Sequence, residues 1–101
     1  MKFSLIVIFV FLVTACHSSK HEIQAVEVSC GQCQFGLTSQ KGCDLAIRIG
    51  ENAYFVDGAH IDDFGDAHDK DSGFCEVIRK AEVSGSLQGD RFKIETIALT
   101  E

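Results

Sequence analysis

Hydrophobic and polar residues alternate along several short stretches of this chain, and the alternation predicts strands. From Gln24 to Cys30, the residues Val26, Val28 and Cys30 fall on one face. Leu45, Ile47 and Ile49 alternate with Ala46 and Arg48, and Gly50-Glu51-Asn52 reads as a tight turn. Ala53 to Gly58 then returns, so this stretch predicts a β-hairpin. Ala81 to Leu87 and Arg91 to Glu95 flank Gln88-Gly89-Asp90 and predict a second hairpin. In the last strand Phe92 and Ile94 share a face, whereas Ile97 and Leu99 fall on the other. Either both faces are covered or a bulge lies near Glu95-Thr96.

One segment changes period. Phe74, Val77, Ile78 and Ala81 follow helical spacing, Asp71 or Ser72 can cap the start, and Arg79 and Lys80 suit the C-terminal end. This predicts one short helix with Cys75 in its first turn. The order strand, cysteine loop, hairpin, acidic loop, helix, hairpin points to a mainly β (α+β) fold. A five-stranded OB-like barrel fits that order, and a small sheet covered by one helix is the alternative.

The N-terminal stretch follows another logic. Lys2 precedes Phe3 to Val13, which is apolar except for Ser4 and too short to span a bilayer. Val13-Thr14-Ala15-Cys16 follows, and this resembles the bacterial lipoprotein signal, in which the cysteine becomes the diacylated mature N-terminus. The expected organisation is a signal peptide over 1–15, a lipidated tether over 16–21 and a single domain over 22–101. The resemblance implies a covalent diacylglycerol and fatty-acyl chains such as palmitate on Cys16. It also implies a membrane anchor in the cell envelope. His17 stands where aspartate would signal inner-membrane retention, so the resemblance favours the outer membrane, facing the periplasm. Loss of Lys2 leaves 8 basic against 15 acidic residues, a net charge of −7. Such a domain is repelled by nucleic acid and by anionic headgroups, so lipid must do the anchoring.

Four cysteines remain in the domain: Cys30, Cys33, Cys43 and Cys75. In an oxidising compartment four cysteines ordinarily form two disulfides, and a structural pattern would send Cys30 and Cys33 to Cys43 and Cys75. Below roughly 80 residues a hydrophobic core alone gives marginal stability, so cross-links or a metal are expected. The same four thiolates suit a tetrahedral zinc or iron site, and a soft Cys/His set suits copper(I), with His68 and His60 as further candidates. A thiol oxidoreductase needs its C-x-x-C at a helix N-terminus, and Gln34-Phe35-Gly36-Leu37 does not read as a helix. The histidines of the tether, His17 and His21, read as solvated linker.

The acidic loop between the hairpins fails the EF-hand register from either Asp66 or Asp69. Its aspartates read as solvated turn residues and helix-capping charges. The chain carries no nucleophile elbow, phosphate-binding glycine loop or paired metalloprotease histidines. A binding or structural role is therefore expected ahead of catalysis.

Several runs stand out as a set: Cys30-Gly31-Gln32-Cys33-Gln34-Phe35-Gly36, Gly42-Cys43-Asp44-Leu45-Ala46, Tyr54-Phe55-Val56-Asp57-Gly58, Gly65-Asp66-Ala67-His68 and Gly73-Phe74-Cys75. Together they resemble a family of small bacterial secreted or lipid-anchored proteins of unknown function. The resemblance spans roughly Val28 to Phe92. It implies one domain and a cluster built from the four cysteines with Asp66 and His68, and it implies no particular activity. The sequence thus leaves three readings: a lipid-anchored binding module whose Cys/His cluster holds zinc or copper, a disulfide-stapled envelope protein that binds a macromolecule, and a thiol oxidoreductase.

Overall fold

A computed structural model describes residues 22–101 of the protein; the expected signal peptide, Cys16 and the expected tether lie outside the described residues. Five strands close into a barrel: β1 (Gln24–Cys30), β2 (Leu45–Ile49), β3 (Asn52–Asp57), β4 (Arg79–Gln88) and β5 (Arg91–Leu99). The order around the barrel is β1-β2-β3-β5-β4, with β4 returning to β1. Every neighbouring pair is antiparallel except β3 with β5, which run parallel. This is the OB-like arrangement that the element order predicted. Closure leaves no sheet edge among these strands, so their backbone groups pair all the way round.

The strand pattern carries directly into the core. Val26, Val28 and Cys30 of β1 face inward, joined by Leu45 and Ile47 of β2, Val56 of β3, Ala81 and Val83 of β4, and Phe92 and Ile94 of β5. Both hairpins use two-residue turns. Ile49 pairs with Asn52 across Gly50-Glu51, and Gln88 pairs with Arg91 across Gly89-Asp90.

The change of face in β5 is a bulge. Ser84 pairs with Thr96 but Gly85 pairs with Ile94, so Glu95 is the additional residue on its strand. The bulge lets Ile97 and Leu99 pack against the same core as Phe92 and Ile94. Gly85 has φ +152°, and a Cβ there would fall on the Lys93 carbonyl and 2.8 Å from Phe92 Cε1.

The helix expected from Asp71 to Ala81 does not form, and its hydrogen bonds show why. A helix would join the Cys75 N–H to the Asp71 carbonyl and the Ile78 N–H to the Phe74 carbonyl. Instead the Cys75 N–H donates to the Ala67 carbonyl (2.9 Å), and the Phe74 carbonyl accepts the Cys30 N–H (3.1 Å). The buried Ser29 hydroxyl lies 2.6 Å from that same carbonyl and 2.7 Å from the carbonyl of Val77. Single turns remain around Gly73, and the chain is already extended in β4 from Arg79. The apolar spacing that suggested a helix is satisfied differently, with Phe74 buried over the barrel end and Ala81 inside it. Among the described residues the one α-helical turn is α1 (Gly31–Gln34), within the C-x-x-C segment, and a 3-10 turn covers Ile61–Phe64.

Replacing Gly85 by alanine should lower the unfolding free energy by about 1–3 kcal/mol, because an L-residue is strained there and its Cβ meets backbone. Denaturant melts of the two proteins measure this. Equal midpoints would mean that the bulge is not fixed as described.

Candidate metal centre

All four domain cysteines meet at one end of the barrel. The Sγ atoms of Cys30, Cys33, Cys43 and Cys75 all lie within 4.8 Å of one another, and each cysteine is a free thiol. They arrive on three pieces of backbone. Cys30 ends β1 and caps α1, and its sulfur accepts the Cys33 N–H at 3.3 Å. Cys33 sits in α1 itself. Cys43 comes from the loop before β2, and its thiol donates to Cys30 Sγ at 2.8 Å. Cys75 comes from the turn after Gly73. The centre runs from inside to outside: Cys30 is buried, Cys43 and Cys75 are half-buried, and Cys33 is exposed.

The surrounding polar groups hold these pieces together. Gln32 and Asp44 clasp each other. The Gln32 amide donates to Asp44 Oδ2 at 2.7 Å, and the Asp44 N–H donates to Gln32 Oε1 at 2.9 Å. Gln40 donates to the same carboxylate oxygen at 2.8 Å, and the Gly31 N–H donates to the Asp44 carbonyl at 2.8 Å. These bonds fix the segment carrying Cys43 against the C-x-x-C turn. Donation by Gln40 and Gln32 also holds the Asp44 carboxyl below its ordinary pKa. On the other side Gln34 donates to the Cys75 carbonyl at 2.9 Å.

Two glycines make close approaches possible. A Cβ on Gly31 would lie 2.6 Å from Phe55 Cε1, so the turn between Cys30 and Cys33 rests flat on the barrel. A Cβ on Gly73 would strike the Ala67 carbonyl, the group that accepts the Cys75 N–H. The Gly-Asp-Ala-His segment therefore reaches the centre through the backbone of Ala67. Asp66 Oδ1 accepts the His68 N–H at 2.9 Å, and both residues are exposed. Neither belongs to the group of converging ligand atoms, and nor does His60. Asp69 likewise accepts the N–H groups of Asp71 and Ser72, which depress its pKa, so these acidic side chains cap turns.

Proximity makes the thiols unequal. Burial opposes ionisation of Cys30, but hydrogen bonds from the Cys43 thiol, the Cys33 thiol and the Cys33 N–H overcome it and lower its pKa. The hydrogen bond to Cys30, reinforced by burial, pushes Cys33 up to about 12. Burial and then the bond to Cys30 push Cys43 upward as well. A first negative charge thus settles on Cys30 and resists a second beside it. A cation at the centre removes that repulsion and draws the remaining protons off.

The geometry accommodates such an ion. Four zinc–sulfur bonds of about 2.3 Å in a tetrahedron place the sulfurs about 3.8 Å apart. Cys30 and Cys43, 2.8 Å apart, would need to separate by about 1 Å, and no pair in the cluster is more than 4.8 Å apart. Sulfur-only donors suit zinc, iron or copper(I) rather than calcium or magnesium.

A model of a family of unknown function, DUF6370, matches residues 24–100. The chain belongs to that family. The match takes in the whole barrel and all four converging cysteines. No curated protein matches the chain. No solved structure matches it either.

Sequence reasoning found the four sulfurs but missed the residues that position them: Ser29, Gln32, Gln34, Gln40, Asp44 and Ala67. The available signal was the pair of glutamines flanking Cys33 and the aspartate directly after Cys43.

Zinc binding should expel protons from at least Cys33 and Cys43, the two thiols whose pKa is raised. Apparent zinc affinity should therefore climb with pH through neutrality by roughly 100-fold per unit or more. Competition titrations at several pH values test this, and a slope of zero would remove thiolates from the binding site.

Proposed function

We propose that this protein is a lipid-anchored envelope protein whose small barrel carries one tetrathiolate metal centre, with zinc as its ion and copper(I) as the competing occupant. One observation carries the reading: four cysteines from three separate segments place their sulfurs within 4.8 Å of one another. Two disulfides would require the sulfurs to segregate into pairs, each at about 2.05 Å. A single shared cluster is what one ion requires.

The anchoring half of the proposal rests on the sequence. Lys2, the apolar run and Val13-Thr14-Ala15-Cys16 support Cys16 as the lipidated residue, and His17, where aspartate would signal inner-membrane retention, favours the periplasmic side of the outer membrane. The chain enters β1 at Gln24 and reaches Cys30 at its far end, a run of about 20 Å. The tether thus joins the barrel at the end opposite the thiolates, and the centre is held away from the lipid. The reading is a binding module in the first place, because the described residues around the cysteines supply ligands and backbone donors but no separate acid–base pair.

The test is protein isolated from envelope fractions with oxidation suppressed, followed by metal analysis and thiol counting after denaturation. One ion per chain, with four domain thiols freed when the ion is chelated, is the expected result. Four unreactive sulfurs and no metal would establish the disulfide-stapled alternative instead. Replacing Cys16 by serine should move the protein from the membrane to the soluble fraction, and unchanged membrane association would overturn the anchoring assignment.

A further inference from the structure

The graded exposure of the four sulfurs says how an ion would leave. Cys30 is fully buried at the end of β1, and its sulfur is enclosed by the Cys43 thiol and the Cys33 N–H. Cys43 sits next to Asp44, which Gln32 and Gln40 clasp. Cys75 is fastened through both of its own backbone groups, the N–H to Ala67 and the carbonyl to Gln34. Cys33 alone is exposed, on a single helical turn. A Cβ on Gly36 would meet nothing within 4 Å, and one on Gly42 would meet only Asp44 Oδ2 at 3.6 Å.

The barrel also has its own means of support. Its strands close on themselves, and of the four cysteines only Cys30 is among the fully buried core residues. Where a domain lacks a core, a metal is needed to hold it together. Here the ion would join two loops to a barrel that is already closed. That arrangement suits an ion that is cargo.

We infer that the centre exchanges its metal through Cys33, handing a soft cation to, or receiving it from, an external thiolate. This rests on the tetrathiolate reading above. In the exchange, an incoming thiolate approaches from the side of exposed Cys33 and forms a sulfur–metal bond as the Cys33 sulfur–metal bond breaks. Cys33 leaves with its electron pair as a thiolate and takes a proton from water. The metal keeps its oxidation state, and no electron changes hands. The other three sulfurs hold the ion until further external ligands replace them, and uptake is the same sequence reversed.

The experiment uses the barrel-containing protein loaded with zinc alone. Brief treatment with iodoacetamide under native conditions, mapped by mass spectrometry, should label Cys33 roughly tenfold or more faster than the other three cysteines. Zinc release to a chromogenic chelator should accelerate in proportion to added dithiothreitol. In Cys33→Ser, which retains three thiolates, zinc should still bind but its release should no longer depend on the thiol concentration. Labelling that is uniform, or led by Cys43 or Cys75, would overturn the inference, as would thiol-independent release from the unaltered protein. If Cys33→Ser takes up no zinc, the labelling order and thiol dependence of the unaltered protein decide. An unaltered protein that takes up no zinc at all contradicts the metal reading itself, a distinct outcome from a bound ion that fails to exchange.

Discussion

The carbonyl of Phe74 is the group on which the site depends. It accepts the Cys30 N–H and lies within hydrogen-bond reach of the Ser29 hydroxyl, so the last two residues of β1 grip the turn that follows the acidic loop. Both residues of β1 are completely buried, where an unmet backbone or hydroxyl group would be costly. The grip stops Phe74 from serving a helix and brings the next residue, Cys75, against the C-x-x-C turn. Without it the fourth sulfur would have no fixed place. The barrel and the cluster are therefore joined through hydrogen bonds of the backbone at one strand end.

The thiols in turn constrain one another. Gathering four sulfurs in so small a space lowers the pKa of the most buried one and raises those of two neighbours. The arrangement is electrostatically unfavourable for four thiolates alone and favourable once a cation is among them. The polar residues around it serve that purpose at one remove. Gln32, Gln34, Gln40 and Asp44 bind backbone and each other and so fix the loops, and Gln32 Oε1 also accepts the Cys30 thiol at 3.6 Å.

Much of the barrel was legible because strand patterning is local. Val26, Val28 and Cys30 announce one inward face, the two turns are marked by Gly50 and Gly89, and the shift from Ile94 to Ile97 signals the bulge at Glu95. The expected helix failed for a reason that no local pattern carries. Phe74, Val77 and Ile78 have helical spacing, but the carbonyls of Phe74 and Val77 and the N–H of Cys75 are claimed by Ser29, Cys30 and Ala67, up to 48 residues away. The site was half legible on the same grounds. Its ligands are visible as cysteines, whereas their convergence depends on that long-range competition. The Gly-Asp-Ala-His run stood out for its polar side chains and contributes a backbone carbonyl to the site.

The central claim is that Cys30, Cys33, Cys43 and Cys75 bind one ion together. X-ray absorption at the zinc edge of the loaded protein tests it most directly, because it counts the neighbours of the metal and identifies them by type. The account predicts four sulfur neighbours at about 2.3 Å and no nitrogen or oxygen in the first shell. A shell of two sulfurs or fewer, completed by nitrogen or oxygen, would contradict it.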